Sequence, residues 1–165
     1  MKLESLRDLF IEELQDLYSA EDQILEALPD MIEEANSPEL KRAFKEHLDQ
    51  TREHVQRLDQ IFDELGDEVD REDKSCKGMK GILKDNEELL DSHAETGVLD
   101  AGMIAGAQRV EHYEIAGYGT VKVFAKLLGH EDWARLLGQT LDEEKQTDQK
   151  LTQIAGRINL EAKAA

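Results

Sequence analysis

Four stretches of the chain place apolar residues at alternating steps of three and four, the spacing of a helix face that packs against other helices. They predict helices at about 3–35, 38–65, 98–128 and 131–158 of the 165 residues. The four stripes are Phe10, Leu14, Leu17, Glu21, Ile24 and Leu28; Leu40, Phe44, His47, Thr51, His54, Leu58, Ile61 and Leu65; Met103, Ala107, Val110, Glu114, Gly117, Val121, Phe124 and Leu128; and Trp133, Leu137, Thr140, Glu144, Thr147, Leu151, Ile154 and Ile158. The pattern predicts an all-α fold, a single-domain four-helix bundle.

The connection between the second and third of these helices runs from Gly66 to about Gly97, which is too long for a hairpin loop. Its first part, 66–77, is polar and charged and predicts an exposed loop. Apolar residues then recur and predict a short fifth helix at about 79–95. A connection of this length suits a crossover that returns the chain along the bundle, as in ferritin-like folds.

Turn residues support these boundaries. Ser37 and Pro38 are typical of a helix start, and Gly129 is typical of a helix end. Pro29 lies inside the first helical pattern, where it is expected to kink the helix or loosen its last turn.

Polar residues interrupt all four stripes at one depth. Glu21 and Thr51 each lie 15 residues from the turn near residue 36, and Glu114 and Glu144 each lie 15 residues from Gly129. Residues equally far from the turn of an antiparallel hairpin meet at one level, here about 22 Å from each turn. The sequence therefore predicts a polar layer inside the bundle.

Carboxylates and imidazoles in such a layer suggest a metal centre, because buried ionised carboxylates are costly unless paired, hydrogen-bonded or metal-bound. Converging carboxylates and histidines inside a four-helix bundle are typical of di-iron and di-manganese proteins. The candidate ligands are Glu21, His54, Glu111, Glu114 and Glu144, with His47 and Asp148 as substitutes. The alternative is a buried network of protonated or salt-bridged groups that binds no metal.

Further polar residues are candidates to surround the ligands. They are Tyr18, Thr51, Gln108, Tyr118 and Thr147. A tyrosine here either satisfies its hydroxyl in the core or contacts the metal ligands, and Tyr118 lies about one turn from Glu114. His112 points about 100° away from Glu111 and is expected to make a packing or crossover contact. His93 and His130 fall in connections and are expected to be exposed.

Composition narrows the function classes. With 38 acidic and 20 basic residues the formal net charge is −18, so nucleic acid and anionic membranes are not expected partners. No apolar run approaches the length of a membrane span, and the first residues do not resemble a signal peptide. The one cysteine, Cys76, excludes an intramolecular disulfide and fits a reducing cytoplasm. The acidic surface has three interpretations: high solubility, adaptation to a salty environment, or electrostatic attraction of cations such as Fe²⁺.

The third long helix contains four glycines, each costing about 1 kcal/mol relative to alanine in a helix interior. They are Gly102, Gly106, Gly117 and Gly119. Close helix approach in the core or at a subunit contact would compensate, and on this basis we expect a homodimer.

Several segments resemble the YciE/YciF-type bacterial stress proteins over nearly the whole chain. They are Asp8-Leu9-Phe10, Leu17-Tyr18-Ser19-Ala20-Glu21, His47-Leu48 with Thr51, Gln108-Arg109-Val110-Glu111-His112-Tyr113-Glu114-Ile115-Ala116 with Tyr118-Gly119-Thr120, and Thr140-Leu141 with Glu143-Glu144-Lys145 and Thr147-Asp148. The resemblance implies a ferritin-like helical fold similar to that of rubrerythrin and a role in stress responses. It implies no defined biochemical activity.

The rubrerythrin-like ligand pattern is incomplete here. Glu21 fits the glutamate of the first helix, and Glu111 with Glu114 fits the Glu-x-x-Glu of the third. The second helix has Thr51 in place of a glutamate, and the fourth has Thr147 in place of a histidine. His47, Asp49 and Gln50 are substitutes on the second helix, and Asp148 is one on the fourth. The four-cysteine iron domain of rubrerythrin has no counterpart in this sequence.

Two functions remain open at this point. The first is a non-haem metalloprotein of stress defence whose iron or manganese reacts with peroxide or dioxygen. The second is a non-enzymatic dimeric stress protein whose polar layer is vestigial and held by hydrogen bonds. Iron storage in a large shell has no support in the sequence.

Overall fold

The chain folds into five α-helices in a computed structural model that describes residues 3–66 and 69–164. They are α1 (Leu6–Glu34), α2 (Pro38–Leu65), α3 (Lys77–Leu90), α4 (Thr96–Leu127) and α5 (Glu131–Ala164). No strand occurs within these described ranges, which confirms the all-α class. The hairpins α1–α2 and α4–α5 form the bundle, and α3 packs on α1 and α4. In the described part of the chain, no helix is sufficiently long and apolar to cross a membrane.

Helix ends follow the sequence. The Ser37 hydroxyl accepts a hydrogen bond from the backbone N–H of Leu40 at 3.4 Å, and Pro38 begins α2. Gly129 follows α4 with a φ of 86°, a left-handed conformation that suits glycine. Pro29 lies inside α1, which nevertheless continues to Glu34.

Two apolar clusters fill the bundle on either side of the predicted polar layer. One includes Ile24, Leu28, Phe44, Met103, Ile104 and Ile154, and the other includes Phe10, Leu14, Leu58, Ile61, Val121 and Leu137. The stripe residues of α1, α2 and α5 are all buried, including their polar members. The polar residues that the sequence places inside the bundle are therefore buried there.

The buried face of α4 differs from the prediction in its C-terminal half. Gly117, Phe124 and Leu128 are only half-buried, whereas Tyr118 and Ala125 are fully buried. A straight helix has 3.6 residues per turn, so a strict seven-residue repeat drifts around it by about 20° per heptad. After several turns of α4, the residue that faces the core is therefore the one next to the position that the repeat predicts.

The long connection also differs from the prediction. α3 begins at Lys77 and ends at Leu90, so the helix expected at 79–95 was placed too late, and α4 begins at Thr96. Cys76 is buried rather than exposed, and its sulfur accepts a hydrogen bond from the Met79 N–H and caps α3. Residues 67 and 68 of the predicted loop lie outside the described residues. At the other end, α5 extends beyond residue 158 to Ala164.

Three of the four glycines singled out in the sequence allow close contacts within the chain. A Cβ atom at Gly106 would lie 1.8 Å from Asn86 Oδ1 of α3, and one at Gly117 would lie 2.7 Å from Leu17 Cδ2 of α1. Gly102 is similarly close to the side chain of Leu89. Gly119 alone of these four faces open space, so the glycines are mainly a feature of the monomer fold.

Candidate metal centre

Six buried side chains from four helices converge between the two apolar clusters. Ligand atoms of one group, His47, Glu111, Glu114 and Glu144, lie within 4.8 Å of one another. Ligand atoms of a second group, Glu21, His54 and Glu144, meet the same limit. Glu144 belongs to both groups, so any metal ions held by the two groups would share this residue.

Helix geometry explains why these residues meet. His47 and His54 are seven residues apart on α2, so both imidazoles project from one face of that helix. Glu111 and Glu114 are three apart on α4 and likewise share a face. α1 contributes Glu21, and α5 contributes Glu144.

The imidazoles lie close to the carboxylates. His54 Nδ1 is 2.9 Å from Glu144 Oε1 and 3.3 Å from Glu21 Oε1. His47 Nδ1 is 3.3 Å from Glu111 Oε1, and its Nε2 is 3.9 Å from Glu144 Oε2. Nevertheless, neither His54 Nδ1 nor His47 Nε2 has a hydrogen-bond partner, because these approaches lack the distance or the alignment that a hydrogen bond needs.

Unpaired polar atoms are concentrated in this layer. Ten buried side-chain nitrogen and oxygen atoms lack a hydrogen-bond partner in the described part of the chain, and nine of them belong to the six convergent residues. Each such atom typically costs about 1–3 kcal/mol. The unpaired atoms face one another and are hard oxygen and imidazole donors, so these residues fit a pair of Fe²⁺ or Mn²⁺ ions.

Burial controls the protonation of the carboxylates. It raises the pKa of Glu111 and Glu114 well above the ordinary value, and the negative charge of Glu144 raises both further. Burial also raises the pKa of Glu21. Burial acts in the same direction on Glu144, but its contact with His54 and the charge of His54 outweigh this effect and lower its pKa.

The two histidines differ. Burial lowers the pKa of His47. Burial also opposes the charge on His54, but the charge of Glu21 and contacts with Glu143 and Glu144 raise its pKa to about 12. Without metal, the layer therefore combines carboxylic acids with a charged contact between His54 and Glu144.

The family model described as "Domain of unknown function (DUF892)" matches residues 5–164. The chain belongs to this family. Protein YciF of Escherichia coli strain K12 is 39% identical over 156 residues, which make up 94% of this chain and 93% of YciF. The match to the crystal structure of that stress protein has a TM-score of 0.90 and covers 94% of this chain and 98% of the YciF chain. The expected membership of the YciF-type stress protein family is thus confirmed.

Two further solved structures are similar. YcfI of Rhodopseudomonas palustris is 41% identical with a TM-score of 0.87, and the match covers 92% of this chain and 95% of that one. A protein of Xanthomonas campestris is 21% identical with a TM-score of 0.75, and the match covers 98% and 100% of the two chains. At that identity, the Xanthomonas protein supports the fold alone.

In this DUF892 protein, the two threonines that depart from the rubrerythrin-like pattern make hydrogen bonds with groups other than the six convergent side chains. The Thr51 hydroxyl donates to the carbonyl of His47 at 2.9 Å. The Thr147 hydroxyl lies 3.3 Å from Gln50 Oε1 and 3.2 Å from the carbonyl of Glu143. The second imidazole of the layer comes instead from His47, so α2 supplies both histidines.

Tyr118 lies where a contact to the ligands was expected, since its buried hydroxyl donates a hydrogen bond to Glu21 Oε1. Tyr18 does not reach the layer; it is half-buried and packs edge-on against Phe62 at a ring distance of 5.8 Å. Asp49 is also remote from it, being largely exposed and paired with Arg52 at 2.7 Å.

Asp148 is placed outside the layer rather than among the ligands. Its Oδ1 accepts a hydrogen bond from Gln108 Nε2 at 3.0 Å and lies 3.4 Å from His112 Nε2. Neither Gln108 nor Asp148 therefore occupies the position suggested by the sequence. His112 is exposed instead of packed against the crossover, because α3 contacts α4 along the face that contains Gly102 and Gly106.

Sequence reasoning missed Arg57 and Glu143. Glu143 Oε2 lies 3.0 Å from His54 Nε2 and accepts a hydrogen bond from Arg57 at 2.5 Å. The antiparallel register of α2 and α5 pairs residue 50 with 147 and 54 with 143. An arginine one turn after a predicted histidine ligand was the available signal, but only this register identifies its partner.

Proposed function

We propose that this protein holds two divalent ions, iron or manganese, in the polar layer and reacts there with peroxide or dioxygen as part of a stress response. The observation that carries the proposal is the set of nine buried, unpaired donor atoms on six converging residues. The sharing of Glu144 between the two ligand groups supports two ions rather than one.

The donor set favours these metals. Four carboxylates with two imidazoles suit Fe²⁺ and Mn²⁺, whereas thiolate-rich sites select zinc, copper(I) or iron–sulfur clusters. Even if every carboxylate oxygen bound a metal, the set would hold fewer donors than two ions with roughly six ligands each require. Positions would then remain for a small exogenous ligand such as peroxide.

An iron or manganese pair supplies redox chemistry with such a ligand. The chain's own residues bind and orient the ions, and the apolar clusters on both sides keep bulk water away. The Tyr118 hydroxyl orients Glu21 by donating to its Oε1.

The non-enzymatic alternative requires a layer whose polar groups form hydrogen bonds or ion pairs with one another. The nine unpaired atoms count against it, because a structural network would be expected to pair most of its members. The charged contact between His54 and Glu144 satisfies only part of the layer.

Peroxide consumption by iron-loaded protein tests the proposal. We expect the loaded protein to consume peroxide faster than an equal concentration of free Fe²⁺, and Glu144→Gln to abolish the difference because Glu144 serves both ligand groups. Asp142→Asn is a matched control, since it neutralises an exposed carboxylate on the same helix. Consumption no faster than that of free Fe²⁺ would overturn the reaction, while metal binding would still be judged from metal content.

A further inference from the structure

Glu143 joins one histidine of the layer to the outer surface of the bundle. Its side chain is 21% exposed, whereas those of His54 and Glu144 are 1% and 0% exposed. Its Oε2 lies 3.0 Å from His54 Nε2, the ring nitrogen opposite the one that approaches Glu144. Glu143 is therefore outside the group of candidate ligands but in direct contact with one of them.

Arg57 holds Glu143 in this position. Its guanidinium donates to Glu143 Oε2 at 2.5 Å and to Oε1 at 3.0 Å, a two-point contact that fixes the plane of the carboxylate. Arg57 is largely buried and also donates to the Thr140 hydroxyl at 3.0 Å.

His47 is held differently. Its Nδ1 approaches Glu111 and its Nε2 approaches Glu144, and both carboxylates are themselves candidate ligands. For His54, in contrast, the carboxylates at Nδ1 are candidate ligands and the one at Nε2 is not. The two imidazoles therefore differ in what fixes their orientation.

We propose that Glu143, anchored by Arg57, is a positioning residue that keeps a proton on His54 Nε2 and presents Nδ1 to the metal. The inference rests on the proposed metal centre and extends it to two residues outside the ligand set. A carboxylate on the far nitrogen of a metal-binding histidine fixes the tautomer and increases the basicity of the other nitrogen. Loss of such a partner typically weakens metal binding by roughly 10- to 100-fold.

Manganese affinity tests the inference without any assay of activity. Mn²⁺ is titrated into purified full-length protein, and the free ion is followed by electron paramagnetic resonance. We expect Glu143→Ala to weaken binding by about tenfold or more, and Glu143→Gln to have a smaller effect because its amide oxygen still accepts from Nε2–H. Asp142→Asn should match the parent protein, since this neighbouring carboxylate is exposed.

Nitrogen NMR of labelled histidine in the metal-free protein gives a second readout. The His54 Nε2–H proton should exchange slowly in the parent and in Glu143→Gln, and faster in Glu143→Ala. If Glu143→Ala does not fold, as judged by circular dichroism, the affinity of Glu143→Gln and the parent's exchange rate decide the question.

The outcomes separate this inference from the function on which it rests. Parental Mn²⁺ affinity in both Glu143 variants, or fast Nε2–H exchange in the parent, overturns the positioning role alone. A parent that binds no Mn²⁺ contradicts the metal centre itself and the positioning role with it. Weaker binding in the Glu143 variants together with parental binding in Asp142→Asn supports both.

Discussion

A buried glutamate without a hydrogen-bond partner is unfavourable in a metal-free protein, and Glu114 illustrates this at the scale of a single residue. It is fully buried and neither carboxylate oxygen has a hydrogen-bond partner. Burial raises its pKa well above the ordinary value, which favours the neutral acid. Its position is thus unfavourable for the stability of the metal-free protein and suited to a cation.

Glu114→Gln should therefore separate stability from metal binding. The neutral amide resembles the protonated acid. The free energy of unfolding of the metal-free variant should therefore lie within about 1 kcal/mol of the parent's value or exceed it. The same variant should take up less metal because it loses a ligand. Thermal unfolding with chelator present measures the first effect, and elemental analysis measures the second. A large loss of metal-free stability would instead indicate a structural network.

Protonation of the layer also predicts a pH dependence. The raised pKa values of Glu111 and Glu114, together with that of His54 at about 12, mean that metal binding must displace protons. Protons compete with the metal, so Mn²⁺ affinity should rise between about pH 6 and pH 8, with proton release on binding. Titrations in weakly buffered solution with a pH indicator measure both effects. An affinity independent of pH would contradict this protonation pattern.

At the scale of helices, the apolar periodicity predicted the four long elements and the depth of the polar layer, because both depend on spacing along single helices. The repeat was less accurate for α4, where Tyr118 and Ala125 replace Gly117 and Phe124 in the core. Contacts between helices could not be predicted from one helix at a time. The pairing of Glu143 with His54 depends on the α2–α5 register, and the remote position of Asp148 depends on how α5 is rotated against α4.

One contact between helices gives a separate prediction. Buried Asp100 of α4 accepts hydrogen bonds from the backbone N–H groups of Asn36 and Ser37 at 2.8 and 2.7 Å, which ties the α1–α2 turn to α4. Asp100→Ala should lower the free energy of unfolding by about 2–3 kcal/mol, because charged hydrogen bonds are lost and the buried Ser37 N–H is left unpaired. Urea denaturation measures the change. The exposed Asp85→Ala is the control, and an equal effect of the two substitutions would exclude this role.

At the scale of the whole molecule, a net charge of −18 contrasts with an uncharged strip on the outside of α4. The strip comprises Ala116, Gly119, Thr120, Val123 and Leu127. Val123 is 53% exposed and Leu127 is 71% exposed. A second copy of the chain is the occupant we propose, because a two-fold contact would place the strip against itself and the strip lacks the charge that would repel a copy.

Leu127→Glu should therefore dissociate the dimer, since it places carboxylates opposite each other across the contact. Light scattering should give twice the 18.7 kDa chain mass for the parent and the single-chain mass for the variant. Leu160→Glu is a matched control, because Leu160 is 69% exposed on α5, outside the strip, and this variant should remain dimeric. A monomeric parent or a dimeric Leu127→Glu would refute the interface.

Metal content after anaerobic reconstitution with Fe²⁺ tests the central claim most directly. The parent should retain roughly two ions per chain after desalting, as in dinuclear helical-bundle proteins. Glu21→Gln should impair only the group that contains His54, and Glu111→Gln only the group that contains His47, so each should retain roughly one ion. Glu144→Gln should lose both, since Glu144 serves both groups. A parent that retains no iron would contradict the account and leave the polar layer with a structural role.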